Sequence, residues 1–153
     1  MGIEVERKFL ISGDGWRTLG RGVDYRQGYL CAEAERVVRV RTMGERAVLT
    51  VKGLRIGLAR PEFEYPIPPE DARQLLDLCL QPIIEKTRYT VTVSGLVWEV
   101  DEFHGLNRGL VTAECELADA GQPVVKPAWV GEEVTADPRY SNNNLVARPF
   151  TTW

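Results

Sequence analysis

Six of the places in this 153-residue chain where two charges of one sign flank a single residue define its pattern. They are Glu4 and Glu6, Arg39 and Arg41, Glu62 and Glu64, Lys86 and Arg88, Glu99 and Asp101, and Glu114 and Glu116. Successive side chains of a β-strand point to opposite faces, so a spacing of two puts both charges on one face. Two like charges roughly 7 Å apart repel by about 2 kcal/mol at an effective dielectric near ~20. Six such pairs are unfavourable unless they converge on something multiply charged. Acidic pairs suit divalent cations and basic pairs suit phosphate oxygens, so the pattern predicts a binder of metal and polyphosphate.

Length and charge narrow the classes. A chain of this size is long enough for one domain, 1–153, with its own core. A net charge of −3 argues against a broad basic face for nucleic acid, yet Arg36, Arg39 and Arg41 cluster, as do Lys86 and Arg88. A small anion can therefore find a local positive site. No apolar run is long enough for a membrane span, and the first residues carry two acids and no secretory apolar stretch, which predicts a cytoplasmic protein with no membrane partner. Cys31, Cys79 and Cys115 have no metal-type spacing, and their odd number fits a reducing compartment. All three read as small core residues.

Alternation predicts strands over 3–11, 23–30, 36–42, 45–52, 58–67, 83–93, 96–103 and 110–117, with turns at Gly20-Arg21-Gly22, Met43-Gly44 and Ser94-Gly95. A helix begins at Pro69, with Glu70 and Asp71 at its positive end and Ala72, Leu75, Leu76 and Cys79 as its apolar stripe. A second helix is expected over 139–147, capped by Asp137 and opened by Pro138. Eight strands, mostly hairpin-connected, favour an antiparallel barrel or a strongly curled sheet.

One strand face collects Val5, Phe9, Val40, Phe63, Tyr89, Trp98, Val100 and Cys115; the other collects the charge pairs. Periodicity alone lets either face point inward. Ordinary solvated strand faces mix Thr, Ser, Lys and Gln, whereas these carry doubled charges, and a closed barrel could hold cations against one wall and phosphates against the other. The alternative is an exposed face laced with cross-strand ion pairs, each of small worth.

The run Glu4, Glu6, Lys8 is a weak signal alone and gains force from its companions. Mg²⁺ and Mn²⁺ take carboxylate oxygens, and Mg²⁺ commonly binds through carboxylates together with substrate phosphates. Arg39, Arg41, Lys52, Lys86 and Arg88 supply positive charge for phosphate or, alternatively, for the neighbouring acids. His104, the one histidine, reads as a surface residue. No glycine-rich phosphate loop and no Ser/His/Asp or Cys/His arrangement is present, so side chains must bind any phosphate, and metal-assisted hydrolysis needs only carboxylates, a polarised water and cationic clamps.

The chain also resembles the CYTH family, the triphosphate tunnel metalloenzymes. The resemblance begins at Glu4-Val5-Glu6-Arg7-Lys8-Phe9-Leu10 and runs through Arg26-Gln27-Gly28-Tyr29-Leu30, Val38-Arg39-Val40-Arg41, Leu49-Thr50-Val51-Lys52, Glu62-Phe63-Glu64, Glu85-Lys86-Thr87-Arg88-Tyr89, Glu99-Val100-Asp101 and Glu114-Cys115-Glu116. It ends at Gly131-Glu132-Glu133-Val134-Thr135 and Arg139-Tyr140. These motifs fall in family order over nearly the whole chain. The resemblance implies a mainly β fold, an eight-stranded antiparallel barrel forming a hydrophilic tunnel, with a few covering helices and the C-terminal one over a tunnel mouth. It implies that Lys8, Arg39, Arg41, Lys52, Lys86 and Arg88 hold phosphate, and that Glu4, Glu6, Glu62, Glu64, Asp101, Glu114 and Glu116 form the metal-binding side. Lys8, Glu4, Glu6, Glu116 and Tyr29 are implied as catalytic. The short chain resembles the compact bacterial members, several of which hydrolyse inorganic triphosphate, and the resemblance implies that activity on a small-molecule triphosphate with Mg²⁺ or Mn²⁺, in a monomer or homodimer. An organic triphosphatase, an adenylate cyclase and a non-catalytic polyphosphate-binding module are the rival readings. Two departures stand out. Residues 53–60 replace a Ser/Gly-rich loop with Gly-Leu-Arg-Ile-Gly-Leu-Ala-Arg, and Pro61 stands directly before Glu62, where a missing donor predicts a strand edge or bulge.

Overall fold

A computed structural model describes residues 2–153. Nine strands form: β1 (Gly2–Ile11), β2 (Gly22–Ala32), β3 (Val37–Met43), β4 (Arg46–Lys52), β5 (Ala59–Pro66), β6 (Ile84–Val93), β7 (Leu96–Phe103), β8 (Val111–Glu116) and β9 (Val130–Glu133). Two helices, α1 (Pro69–Leu78) and α2 (Asn142–Ala147), join them. The sheet order is β5-β4-β3-β2-β6-β7-β8-β1-β9, and β5 pairs back onto β1. That pairing closes β1 to β8 into an antiparallel barrel, as the alternation and the resemblance predict.

β1 makes the closure. One of its edges pairs with β8, while the other is divided between β5, which takes Gly2 to Val5, and β9, which takes Phe9 and Ile11. Pro61 lies opposite Ile3 at this seam, one residue beyond the last β4–β5 pair, Lys52 with Glu62. Its carbonyl accepts from the Gly53 amide at 3.0 Å, so the absent Pro N–H falls where the ladder is already ending. β9 is a ninth strand that alternation does not predict: four residues, Val-Gly-Glu-Glu, are too few to show a period.

The packed apolar material lies outside the barrel wall. Val5, Phe9, Trp98, Val100 and Cys115 are buried, as the face assignment expects, while Phe63 and Tyr89 are half-buried. All of these but Phe63 pack in one cluster with Trp16 and Trp129, carried by the two connections that cross the outside of the wall. Edge-on ring contacts at 5.5 Å (Phe9 with Trp98) and 5.9 Å (Trp98 with Trp129) fill the layer. On the opposite flank Ala72, Leu76 and Cys79 of the α1 stripe cover Val40 and Ala47. Here β2 must be bare: a Cβ on Gly28 would meet Cys79 Cβ at 2.7 Å. Cys79 and Cys115 are core residues as expected; Cys31 is only half-buried. His104 is exposed, with Nε2 at 2.8 Å from the Thr87 hydroxyl. No helix among the described residues is long and apolar enough to cross a membrane.

The expected C-terminal helix is broken in two. Asp137 does cap, accepting from the Arg139 amide, but only a 3₁₀ turn, Pro138–Tyr140, follows before Ser141 returns to extended backbone and α2 starts. The Ser141 hydroxyl donates to the Pro138 carbonyl at 3.0 Å, a local bond that competes with helix propagation. Tyr140, Leu145 and Val146 then pack on Tyr29, Val37, Ile84, Phe103 and Leu110, residues from one end of the barrel. This cluster stoppers that end. Leu145 is fully buried in it, so Leu145→Ala is expected to cost about 2–5 kcal/mol of unfolding free energy, read from the urea midpoint at unchanged slope. A loss under about 1 kcal/mol would show that α2 does not pack there.

Candidate active site

The charge pairs face inward, and strand order sorts them by sign. Going round the barrel, β5, β1, β8 and β7 are consecutive and carry Glu62, Glu64, Glu4, Glu6, Glu114, Glu116, Glu99 and Asp101; β6, β2, β3 and β4 carry Lys86, Arg88, Arg39, Arg41 and Lys52. Lys8 is the one cation of the pattern on the acidic half. Cross-strand register stacks Glu6 beside Glu116, Lys8 and Glu99 beside Glu114, Arg88 beside Asp101, and Lys52 beside Glu62. The lumen is a cavity of about 660 Å³ lined by Glu4, Glu6, Lys8, Tyr29, Arg39, Arg41, Lys52, Glu62, Glu64, Arg88, Glu99, Glu114 and Glu116. Of the sequence-predicted site residues, Lys86 and Asp101 do not line it.

Those two form a layer behind the cationic wall. The fully buried Asp101 carboxylate accepts from Arg88 Nε at 2.7 Å and Nη2 at 2.9 Å, and from Lys86 Nζ at 2.7 Å. Burial alone would raise its pKa, but Arg88 and then Lys86 hold it down at about 2. Lys86 also donates to Asn142 Oδ1 at 3.1 Å, tying the barrel wall to α2. Its own pKa falls to about 7, chiefly through burial, with Arg88 and Arg41 adding to the fall against Asp101.

On the lumen side Arg88 Nη1 reaches Glu99 at 2.9 Å. Arg39 pairs with Glu64 at 3.5 Å and donates to Thr50 Oγ1 at 3.1 Å. Arg41 has no carboxylate partner among the described residues. Its Nε donates to Gln27 Oε1 at 2.8 Å, and its guanidinium shares the Tyr25 ring with that of Arg88, at 5.1 and 4.9 Å from the centroid. Burial, then Arg39 and Arg88, push its pKa down to about 9. A guanidinium without a carboxylate, set between two other guanidiniums, makes an anion site.

The acidic half shows the converse strain. Glu6 is held well above the ordinary carboxylate range by burial, then by Glu114 and Glu4. Glu4 is raised by burial and by Glu62, although Lys52 Nζ donates to both its oxygens at 3.0 and 3.1 Å. Glu116 is raised by burial, Glu4 and Glu99. Glu114 runs the other way: Lys8 at 3.3 Å, a proton shared with Glu6, and Arg88 overcome its burial and hold it well below its usual value. Lys8 also donates to the Tyr140 carbonyl at 2.8 Å. Among the described residues no three His, Cys, Asp or Glu side chains converge closely enough to cage a metal ion. Crowded, partly protonated carboxylates of this kind fit a hard cation that keeps water and takes its remaining ligands from phosphate.

Several residues in or behind the lumen wall carry no role in the sequence reading. Gln27, fully buried, bridges Arg41 to the Tyr29 hydroxyl, to which its Nε2 donates at 3.1 Å. Continuing the period of two from Tyr29 through Gln27 to Tyr25 would have found both. Thr50, between Arg39 and Glu64, follows from the same step back from Lys52. Arg55 and Arg60 also line the cavity; Arg55 lies on a turn, where periodicity gives no signal.

Residues 2–150 match the CYTH domain. The chain is 50% identical over 151 residues to the inorganic triphosphatase of Acetivibrio thermocellus, covering 98% of this chain and 97% of that protein. It is 36% identical to the inorganic triphosphatase of Nitrosomonas europaea over 93% of this chain and 95% of that one. A solved crystal structure of an inorganic triphosphatase superposes with a TM-score of 0.66 at 33% identity, covering 93% of this chain and 96% of that one. With the family motifs on the inner face of a closed barrel and the match running over nearly all of its length, the chain belongs to the CYTH domain family.

Proposed function

We propose that this protein hydrolyses inorganic tripolyphosphate to pyrophosphate and phosphate, with Mg²⁺ or Mn²⁺ as its cofactor. The observation that carries the reading is the partition of the lumen into an acidic half and a cationic half, with Arg41 set beside Arg39 and Arg88 and without a carboxylate of its own among the described residues. The names of the two relatives, inorganic triphosphatase in each case, support it.

Tripolyphosphate lies across the two halves. Arg39, Arg41, Arg88, Lys8 and Lys52 bind its oxygens and neutralise charge as the anhydride bond breaks. Tyr29, oriented by Gln27, donates to a phosphate oxygen. Glu62 and Glu64 keep Lys52 and Arg39 aimed at the lumen, and Asp101 does the same for Arg88. Glu4, Glu6 and Glu116, with Glu114 beside them, would hold the divalent ion, which when bound polarises phosphate oxygens and lowers the pKa of a bound water. Glu6, whose pKa burial and then Glu114 and Glu4 raise above the ordinary carboxylate value, takes the proton from the attacking water. Water adds to a terminal phosphorus, the P–O bond breaks, and pyrophosphate leaves.

Arg41→Ala and Glu6→Gln are each expected to lower phosphate release from tripolyphosphate by at least about 100-fold in a malachite-green assay with Mg²⁺ or Mn²⁺. Unchanged turnover in both would refute the assignment, and tight binding without hydrolysis would leave a polyphosphate-binding module instead.

Linkage gives a second prediction. Glu6 titrates above 4.5 in the folded state, so the folded protein holds the extra proton and stability falls as pH rises through that window. Glu6→Gln removes this cost. Its thermal midpoint should exceed that of the wild type at pH 7–8, with the gap closing below pH 4.5. A lower midpoint at neutral pH would contradict the electrostatic account.

A further inference from the structure

Arg55 and Arg60 belong to none of the strand charge pairs, yet both face the cavity. Arg55 rides on a narrow extension of the β4–β5 hairpin, and Arg60 sits at the start of β5 where that extension returns. Gly53 N donates to Pro61 O at 3.0 Å, and Ile56 and Ala59 exchange both backbone bonds at 2.8 and 3.1 Å across Gly57-Leu58. Gly57, at φ +63, takes the left-handed position that such a tight turn requires. The segment that departs from a Ser/Gly-rich loop is thus a rigid arm and not slack chain.

The two guanidiniums are poorly matched. Arg60 stands opposite Glu4 in register, but Nε donates to the Gly53 carbonyl at 2.8 Å, and no carboxylate comes within ion-pair distance of it among the described residues. Arg55 approaches Glu6 Oε1 only to 3.8 Å and the Leu58 carbonyl to 3.4 Å. Lys8, Arg39, Lys52 and Arg88 each have a carboxylate closer than Arg55 does.

We propose that Arg55 and Arg60 form a second cation pair that grips a phosphate group of the bound tripolyphosphate, with Arg55 leaving Glu6 as it does so. This rests on the triphosphatase reading above and adds positioning residues to it. Arg55 is the mobile member, since a 3.8 Å contact with a partly exposed partner holds it weakly; Arg60 is fixed by its carbonyl bond.

The test is steady-state kinetics on tripolyphosphate with Mg²⁺ for wild type, Arg55→Ala, Arg55→Lys, Arg60→Ala and the control Ile56→Ser, with thermal midpoints for all. Ile56 is highly exposed on the same arm and does not line the cavity. Arg55→Ala should raise KM roughly tenfold or more, the weight of one charge-assisted bond, with a smaller change in kcat and an unmoved midpoint. Arg55→Lys should recover part of that loss, and the KM of Arg55→Ala should rise less steeply with ionic strength than that of the wild type. Ile56→Ser should match the wild type. A wild type that turns over tripolyphosphate while Arg55→Ala and Arg60→Ala keep KM within twofold overturns this inference alone. A lower midpoint with proportionate loss of kcat in Arg55→Ala also overturns it, because the arm would then be scaffold. A wild type inactive on tripolyphosphate overturns the triphosphatase reading first.

Discussion

The closing ladder between β1 and β5 is the constraint on which the rest depends. Without it the sheet would be open, and its charged face would meet bulk water, where each ion pair is worth little. With it, the same side chains enclose a cavity in which every uncompensated charge is felt strongly. The seam uses half of one edge of β1, Gly2 to Val5, against Ala59 to Glu62, and leaves the other half to β9. It therefore places Glu4, Glu6 and Lys8 at the junction of two ladders, where their positions are fixed from both sides.

Closure also explains why the apolar core lies outside the barrel. A charged lumen cannot supply hydrophobic stabilisation, so the outward side chains must be covered by something else. The two connections bearing Trp16 and Trp129 cover one flank, α1 covers another, and the Tyr140–Leu145–Val146 cluster stoppers an end. These coverings carry the stability that allows the lumen to remain electrostatically strained. Raised pKa values at Glu4, Glu6 and Glu116 and lowered ones at Arg41 and Lys86 are the mark of that strain.

The strands and their charged face were legible from the chain because a period of two is plain when the repeated element is a charge, while the closed barrel with that face inward was implied by the resemblance. Glu4 and Glu6, Arg39 and Arg41, and Glu114 and Glu116 fall where that period puts them. Lys86 and Asp101 share the inward face but not the cavity: alternation specifies a side of the sheet, and depth within the barrel is set by stagger and by what α2 fills. β9 and the interrupted C-terminal helix were hidden by short length and by the local Ser141–Pro138 bond. Gln27 lay in plain view, an uncharged residue on a face defined by charges. Arg55 was beyond reach, since a turn has no period.

Ligand-dependent stability tests the central claim most directly. Tripolyphosphate added to the metal-free protein, where hydrolysis is blocked, should raise the thermal midpoint in a saturable way. At about 100 times Kd the stabilisation is about 2.7 kcal/mol. Orthophosphate at equal concentration should do far less, and Arg41→Ala should abolish the response. An unchanged midpoint, or an equal rise in Arg41→Ala, would contradict a cationic half-lumen built to receive a polyphosphate chain.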